Sequence, residues 1–228
     1  MRFFGYLMVT FAFFTACEKN KTEPAKPISG VNYFPMSVGA TWIYKVDSIV
    51  FNSFQAPGTA PDTSVYWIRE SIVEDLSDPI DLSKKRIERY ISIDSGINWK
   101  FDRSLVVIKN NIQAIRNDYN NMEIKLSFPI TELKSWNGNQ FNNLGEKEYL
   151  YDWIFLPYNT FGKSQDSSIK VLQQNVKNQI RDNVEFEVYL PNTGMVYKET
   201  VDLNYKDLER TKVDGKKVIY ILISFIEK

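Results

Sequence analysis

The chain has 228 residues, with 28 basic and 28 acidic side chains, so its formal net charge is zero. Binding to nucleic acid is driven by phosphate neutralisation and needs a basic face, which this balance argues against. Histidine is absent and cysteine occurs once, which removes the commonest general base, the triad base and Cys/His zinc sites.

Met1-Arg2 supplies a positive start, and Phe3 to Phe14 carries no charge. A bilayer-spanning helix needs about 20 apolar residues, so this run is too short to span and suits a secretory h-region. It ends in Phe14-Thr15-Ala16-Cys17. That ending resembles a bacterial lipobox, in which a small residue precedes a cysteine that is lipidated and becomes the mature N-terminus. Phe14 stands where Leu is commonest, whereas Ala16 and Cys17 fit the pattern. The plainer alternatives are an ordinary signal peptide with an incidental cysteine near its end, or a cytosolic protein with an apolar N-terminus. Two features favour lipidation. No second cysteine is present for a disulfide, and a lone thiol on an exported protein needs an explanation. Glu18 to Pro27 is polar, charged and proline-containing, a composition that behaves as an extended linker. The expected organisation is a signal peptide over 1–16, a lipidated Cys17 with a flexible tether over 17–31, and a single β-rich domain over 32–228.

Beyond the tether, Pro35 and Gly39 mark a turn and a strand starts near Thr41, with Trp42, Tyr44 and Val46 on one face and Ile43, Lys45 and Asp47 on the other. A Pro/Gly/Thr-rich loop separates it from a second run, Val65 to Glu74, and the two read as a hairpin. Arg86 to Asp94 places Ile87, Ile91 and Ile93 on one face with Arg89 between them. Ile97 to Phe101 and Leu105 to Ala114 read as separate strands either side of Asp102-Arg103. Met122, Ile124, Leu126 and Phe128 alternate with Glu123, Lys125 and Ser127, and the Asn-rich stretch Pro129 to Glu146 reads as loop. Later runs are Tyr149–Phe155, Ser167–Gln174, Val184–Tyr189, Met195–Leu203 and Lys217–Phe225. Tyr205 to Lys212 is the one candidate for a helical turn. Val218 to Ile226 is apolar on both faces and reads as a fully covered central strand. Evenly spaced strands with turn residues between them predict an all-β fold with little helix: an antiparallel meander forming a barrel, half-barrel or sandwich.

Tyr33-Phe34-Pro35, Gly39 and Trp42-Ile43-Tyr44, together with the lipobox, resemble the start of Bacteroidota-type outer-membrane lipoproteins of uncharacterised function. Glu187-Val188-Tyr189 followed by Gly194-Met195-Val196-Tyr197-Lys198-Glu199 resembles a hairpin such proteins carry near their C-terminus. The resemblance implies an envelope location and a β-rich fold, and it brings no catalytic residue. The hairpin also stands on its own chemistry. Pro191 ends its first strand, and Asn192 and Gly194 supply the positive φ a hairpin loop needs.

Among candidate sites, Trp42 and Trp67 alternate with aliphatic neighbours and are read as core. Trp136 lies between Lys134-Ser135 and Asn137-Gly138-Asn139 and is the ring expected to be exposed and free to contact a ligand such as a glycan. The acidic stretches Glu74 to Asp81 and Asp118 to Glu123 offer oxygen donors but lack the spacing of a calcium loop, so they are read as solvated turns and no metal site is assigned. Glu185 and Glu187 share a strand face at the separation of a glycosidase pair, as many surface pairs do. No cofactor is called for. The functional expectation is a lipid-anchored, non-enzymatic envelope protein with a binding or assembly role. Its partner would be a glycan, a lipid or another envelope protein, and its rival forms are a surface glycan-binding module or a periplasm-facing carrier of lipid or lipoprotein.

Overall fold

A computed structural model of the chain describes residues 29–54, 59–77 and 83–227. The signal peptide, Cys17 and the tether up to residue 28 lie outside the described residues. Among the described residues, twelve strands follow one short 3-10 turn, Val31–Tyr33. They are β1 Thr41–Phe51, β2 Asp62–Asp75, β3 Ser83–Ser92, β4 Lys100–Lys109, β5 Gln113–Asp118 and β6 Asn121–Ser127, then β7 Ser135–Asn137, β8 Glu148–Thr160, β9 Lys163–Lys177, β10 Arg181–Leu190, β11 Gly194–Tyr205 and β12 Val213–Ile226.

All twelve belong to one sheet in the order β6-β5-β4-β3-β2-β1-β12-β11-β10-β9-β8-β7. Two six-stranded meanders are thus joined back to back where β1 pairs antiparallel with β12. The remaining edges, β6 and β7, approach each other. Ile124 N–H donates to Gly138 O at 2.9 Å, and the Asn142 side-chain amide donates to Met122 O at 2.9 Å. The sheet is therefore a nearly closed barrel, which leaves little free edge to pair with other chains.

Local sequence explains the closure. In β1, aromatic and β-branched residues alternate with polar ones, so Trp42, Tyr44, Val46 and Ser48 point inward. Two apolar clusters occupy much of the lumen. One contains Trp42, Tyr44, Ile68, Ile72, Ile87, Val107 and Leu222. The other contains Tyr33, Leu126, Ile130, Tyr149, Tyr151, Ile169 and Tyr189. Each fully buried aliphatic side chain contributes about 1.5–3 kcal/mol. Gly30, buried at a φ of 73° beneath Ile130, brings the first of the described residues onto the second cluster.

Several sequence expectations change. β4 runs unbroken through Asp102-Arg103, because a bulge opposite Arg89 and Tyr90 absorbs the irregularity. The stretch 129–146 contains β7, and 205–212 forms no helix: Asp207 caps a turn, accepting from Thr211 N–H at 2.7 Å and Lys212 N–H at 3.0 Å. β12 is central in the hydrogen-bond ladder, yet its outer face is open. Ile221 and Ile223 are 39% and 45% exposed, so the strand is not covered on both sides. Trp67 pairs with Lys45 on that outer face and is only half-buried, so it is not part of the core.

Candidate ligand-binding cavity

Directly opposed residues of antiparallel strands share a face, and the register carries one row of side chains across four strands into the lumen: Trp42, Glu70, Arg89 and Arg103. On the other side of the β1–β12 junction the row Tyr220, Lys198, Glu187 and Val171 does the same. Between them lies a cavity of about 440 Å³. Trp42, Tyr44, Val107 and Tyr220 give its wall apolar surface, and Tyr119 and Leu144, both well exposed, belong to its lining as well.

The charged wall is built from pairs that cross the lumen. Arg116 of β5 reaches Glu70 of β2 in a two-pronged contact, at 2.9 Å and 2.5 Å. Arg103 holds Asp118 by two bonds of 2.8 Å and 3.1 Å and Asp102 by one of 2.7 Å, and its guanidinium lies 4.5 Å from the centre of the Tyr119 ring. Such forked contacts are the strongest geometry available to arginine. Opposite, Lys125 of β6 contacts Glu187 of β10 at 2.7 Å, Lys198 lies 3.2 Å from Glu187 and 3.1 Å from Glu185, and Lys147 bonds Glu185 at 2.5 Å. Tyr189 donates to the free oxygen of Glu187 at 2.5 Å, and Tyr149 donates to Glu123.

Burial alone raises the pKa of Glu70, Glu185 and Glu187, and the cations around them more than reverse it. Arg116, with Arg89 and Arg103, holds Glu70 below the ordinary glutamate value. Lys125 and Lys198 do the same for Glu187, and Lys198, Lys147 and Lys125 bring Glu185 down to about 2. Lys198 is pushed the opposite way: burial favours its neutral form, but Glu187 and Glu185 raise its pKa. Glu70, Glu185, Glu187 and Lys198 are therefore ionised at neutral pH.

Of the residues singled out from sequence, Trp42 lies in the wall and Trp136 does not. Trp136 sits in β7, half-buried, with its indole N–H donated to Ile124 O at 2.9 Å and its ring 4.9 Å from that of Tyr151. Glu185 and Glu187 do come together, inside the barrel instead of on its surface. Of the two acidic stretches, Asp118 is bound by Arg103, Glu74 by Arg86 and Asp75 by Lys85; residues 78–82 lie outside the described part. Sequence reasoning missed Glu70, Arg89, Arg103, Arg116, Lys125 and Lys198. Glu70 shares the face of Ile68 and Ile72, and Arg89 that of Ile87 and Ile91. A charge on the apolar parity of a strand was the available signal.

No protein-family model matches the chain, and no curated protein matches it significantly. Several solved chains resemble it, among them these two. One, described as a "putative exported protein with YmcC-like fold" from Bacteroides fragilis, superposes with a TM-score of 0.50 over 85% of this chain and 98% of that one, at 10% identity. The other, a "putative lipoprotein" from Parabacteroides distasonis, gives a TM-score of 0.46 over the same shares at 11% identity. At such identity the first likeness shows a common fold, and the fold is all that it shows.

Proposed function

We propose that this chain is a lipid-anchored, non-enzymatic protein of the cell envelope that binds a small ligand inside its β-barrel. The observation that carries the binding role is the cavity of about 440 Å³ whose wall mixes aromatic faces with buried charges. Ligand sites combine apolar area with a few placed polar groups in this way, and burying so much charge costs stability unless it serves a purpose. An entirely apolar lipid tunnel fits this wall less well, and a stacking site at Trp136 fits less well still, because that indole is engaged at the barrel seam.

The non-enzymatic reading rests on the lack of histidine and of a nucleophile motif in the sequence, and the carboxylates speak against a glycosidase pair. A glycosidase needs one acid kept protonated by a raised pKa, and Glu185 and Glu187 are both held ionised by lysines. The anchor rests on Cys17 and the polar stretch that follows it; two or more acyl chains would hold the domain at a membrane, at about 0.8 kcal/mol per buried methylene. The test is purification of the full chain from its native envelope, with mass spectrometry of the N-terminus and native mass spectrometry of the folded protein. Acylated Cys17, lost with membrane association in Cys17→Ala, and a retained small molecule are expected. An unmodified Cys17 on a soluble protein would sink the anchor, and an empty barrel with turnover of glycans or esters at enzymatic rates would sink the binding role.

A further inference from the structure

Arg89 stands apart from the other cations of the wall. Its residue is only 9% exposed and it lines the cavity, yet its guanidinium donates no hydrogen bond within the described protein. Its nearest acids are close but already held. Asp102 Oδ2 lies 3.2 Å from Arg89 Nε without hydrogen-bond alignment, and accepts instead from Arg103 at 2.7 Å. Glu70 Oε1 lies 4.0 Å away, and both Glu70 oxygens are taken by Arg116. A buried arginine with its donors unused is costly to keep.

The pairing of the wall points the same way. Arg116 is held by Glu70, Arg103 by Asp118 and Asp102, Lys125 by Glu187 and Glu123, and Lys198 by Glu187 and Glu185. Arg89 is left without a hydrogen-bonded partner for its Nε. Two strands away on the same row, beyond Glu70, the β1 side of the cavity presents Trp42, with Tyr44 and Ile87 completing an apolar face.

We infer that the cavity takes a small amphipathic molecule bearing a single carboxylate, whose two oxygens receive the unused fork of Arg89 while its body lies against Trp42, Tyr44 and Ile87. This rests on the proposed binding role and deepens it. A carboxylate suits the planar fork, and its charge is opposite to that of the guanidinium. The body is either an alkyl chain or a sugar ring, since aromatic faces accept both.

The experiment is calorimetric titration of the full chain with octanoate and with glucuronate, each beside its neutral counterpart, octanol and glucose. One acid is expected to bind, with its neutral counterpart weaker by about 10- to 100-fold, the usual effect of a charge-assisted hydrogen bond. Arg89→Gln should abolish that difference, and Arg89→Lys, which keeps the charge without the fork, should fall between. Because Glu70 and Asp102 keep Arg116 and Arg103, the apparent melting temperature of ligand-free Arg89→Gln should stay at or above that of the wild type. A fall in melting temperature with acid binding intact in Arg89→Gln would make Arg89 a structural residue and overturn the inference. Neutral compounds binding as well as the acids would overturn it too, while leaving the binding role in place. If no probe binds and native mass spectra show a retained uncharged molecule, the inference alone fails; if they show nothing retained, the binding role fails with it.

Discussion

The indole N–H of Trp42 donates to the carbonyl of Thr193, 2.6 Å away and 151 positions along the chain. Two residues further on, the Tyr44 hydroxyl donates to Met195 O at 3.0 Å. The turn they grip has Asn192 at a φ of 59° and Gly194 at 87°, the left-handed positions its sequence called for. A side chain at Gly194 would stand 3.2 Å from Pro35 Cδ and 3.5 Å from the Trp42 nitrogen. The N-terminal Tyr-Phe-Pro…Trp-Ile-Tyr stretch and the C-terminal hairpin therefore form one packed unit, clamping the β1–β12 junction and walling the cavity.

This clamp predicts a large effect from a single change. Trp42→Ala removes a 6%-exposed ring from the core and orphans a carbonyl, so it should cost about 3–5 kcal/mol. Trp42→Phe keeps most of the packing and should cost about 1–3 kcal/mol. Urea unfolding monitored by far-UV circular dichroism reads both, and equal losses for Ala and Phe would mean that the hydrogen bond carries the whole effect.

The Lys125–Glu187 pair makes a second case. Lys125 is 4% exposed and Glu187 is 1% exposed, and removing one partner from such a pair costs about 3–5 kcal/mol because the other charge is stranded. Glu187→Gln should therefore destabilise strongly. Adding Lys125→Met should recover a good part of that loss, because the stranded ammonium goes with it. A double-mutant cycle in urea measures the coupling, and simple additivity would refute the pairing.

Acid should unfold the barrel, and the direction follows from its carboxylates. Glu185 is lowered from 4.5 to about 2: burial alone would raise it, but Lys198, Lys147 and Lys125 outweigh that. Glu187 and Glu70 are lowered for the same kind of reason. A group with a depressed folded pKa stabilises the fold above its unfolded pKa and loses that contribution as pH falls towards the folded value. Stability should thus be flat from about pH 8 to pH 5, the more so because histidine is absent, and should fall between about pH 4.5 and pH 2. The contribution of Glu185 is ~3 kcal/mol at most. Glu185→Gln should be less stable at neutral pH and lose less on acidification; unchanged stability of the wild type down to about pH 3 would contradict the assignment.

Much of this architecture was legible. Period-two patterning named the inward residues of β1 and separated the two faces of β2 and β3, although Trp67, read as core, lies on the outer face of β2, and Pro191–Gly194 gave its turn from residue chemistry alone. What escaped was the polar interior, for two physical reasons. Strand parity assigns a face but not its content, so Arg89 among isoleucines was placed correctly and its environment was not. Bulges also break parity. In β6, Leu126 pairs with Ala114 and Ile124 with Ile115, leaving Lys125 as the extra residue. Glu123 and Leu126 then share the inner face with Arg116 and Ala114, and the clean alternation of the sequence misassigns them. The outer faces of β2 and β12 escaped for a related reason. Trp67 and Ile221 sit on a solvent-facing sheet surface that carries large apolar side chains, and composition reads such residues as core.

The seam between β6 and β7 gives the last prediction. It is held by Ile124 N–H to Gly138 O, by the Trp136 indole to Ile124 O and by the Asn142 amide to Met122 O. Trp136 also packs on Tyr149 and Tyr151, at 6.0 Å and 4.9 Å between ring centres. Trp136→Ala removes the indole bond and the ring together and should cost about 2–4 kcal/mol. The loss should be local before it is global, because an edge pair opens more readily than the interior of a sheet. Amide hydrogen exchange is the measurement: faster exchange at residues 122–126 and 135–138, with β1 and β12 still protected, is expected. Unchanged exchange at the seam, combined with lost binding of a polysaccharide, would instead make Trp136 the ligand contact that its polar sequence surroundings suggested.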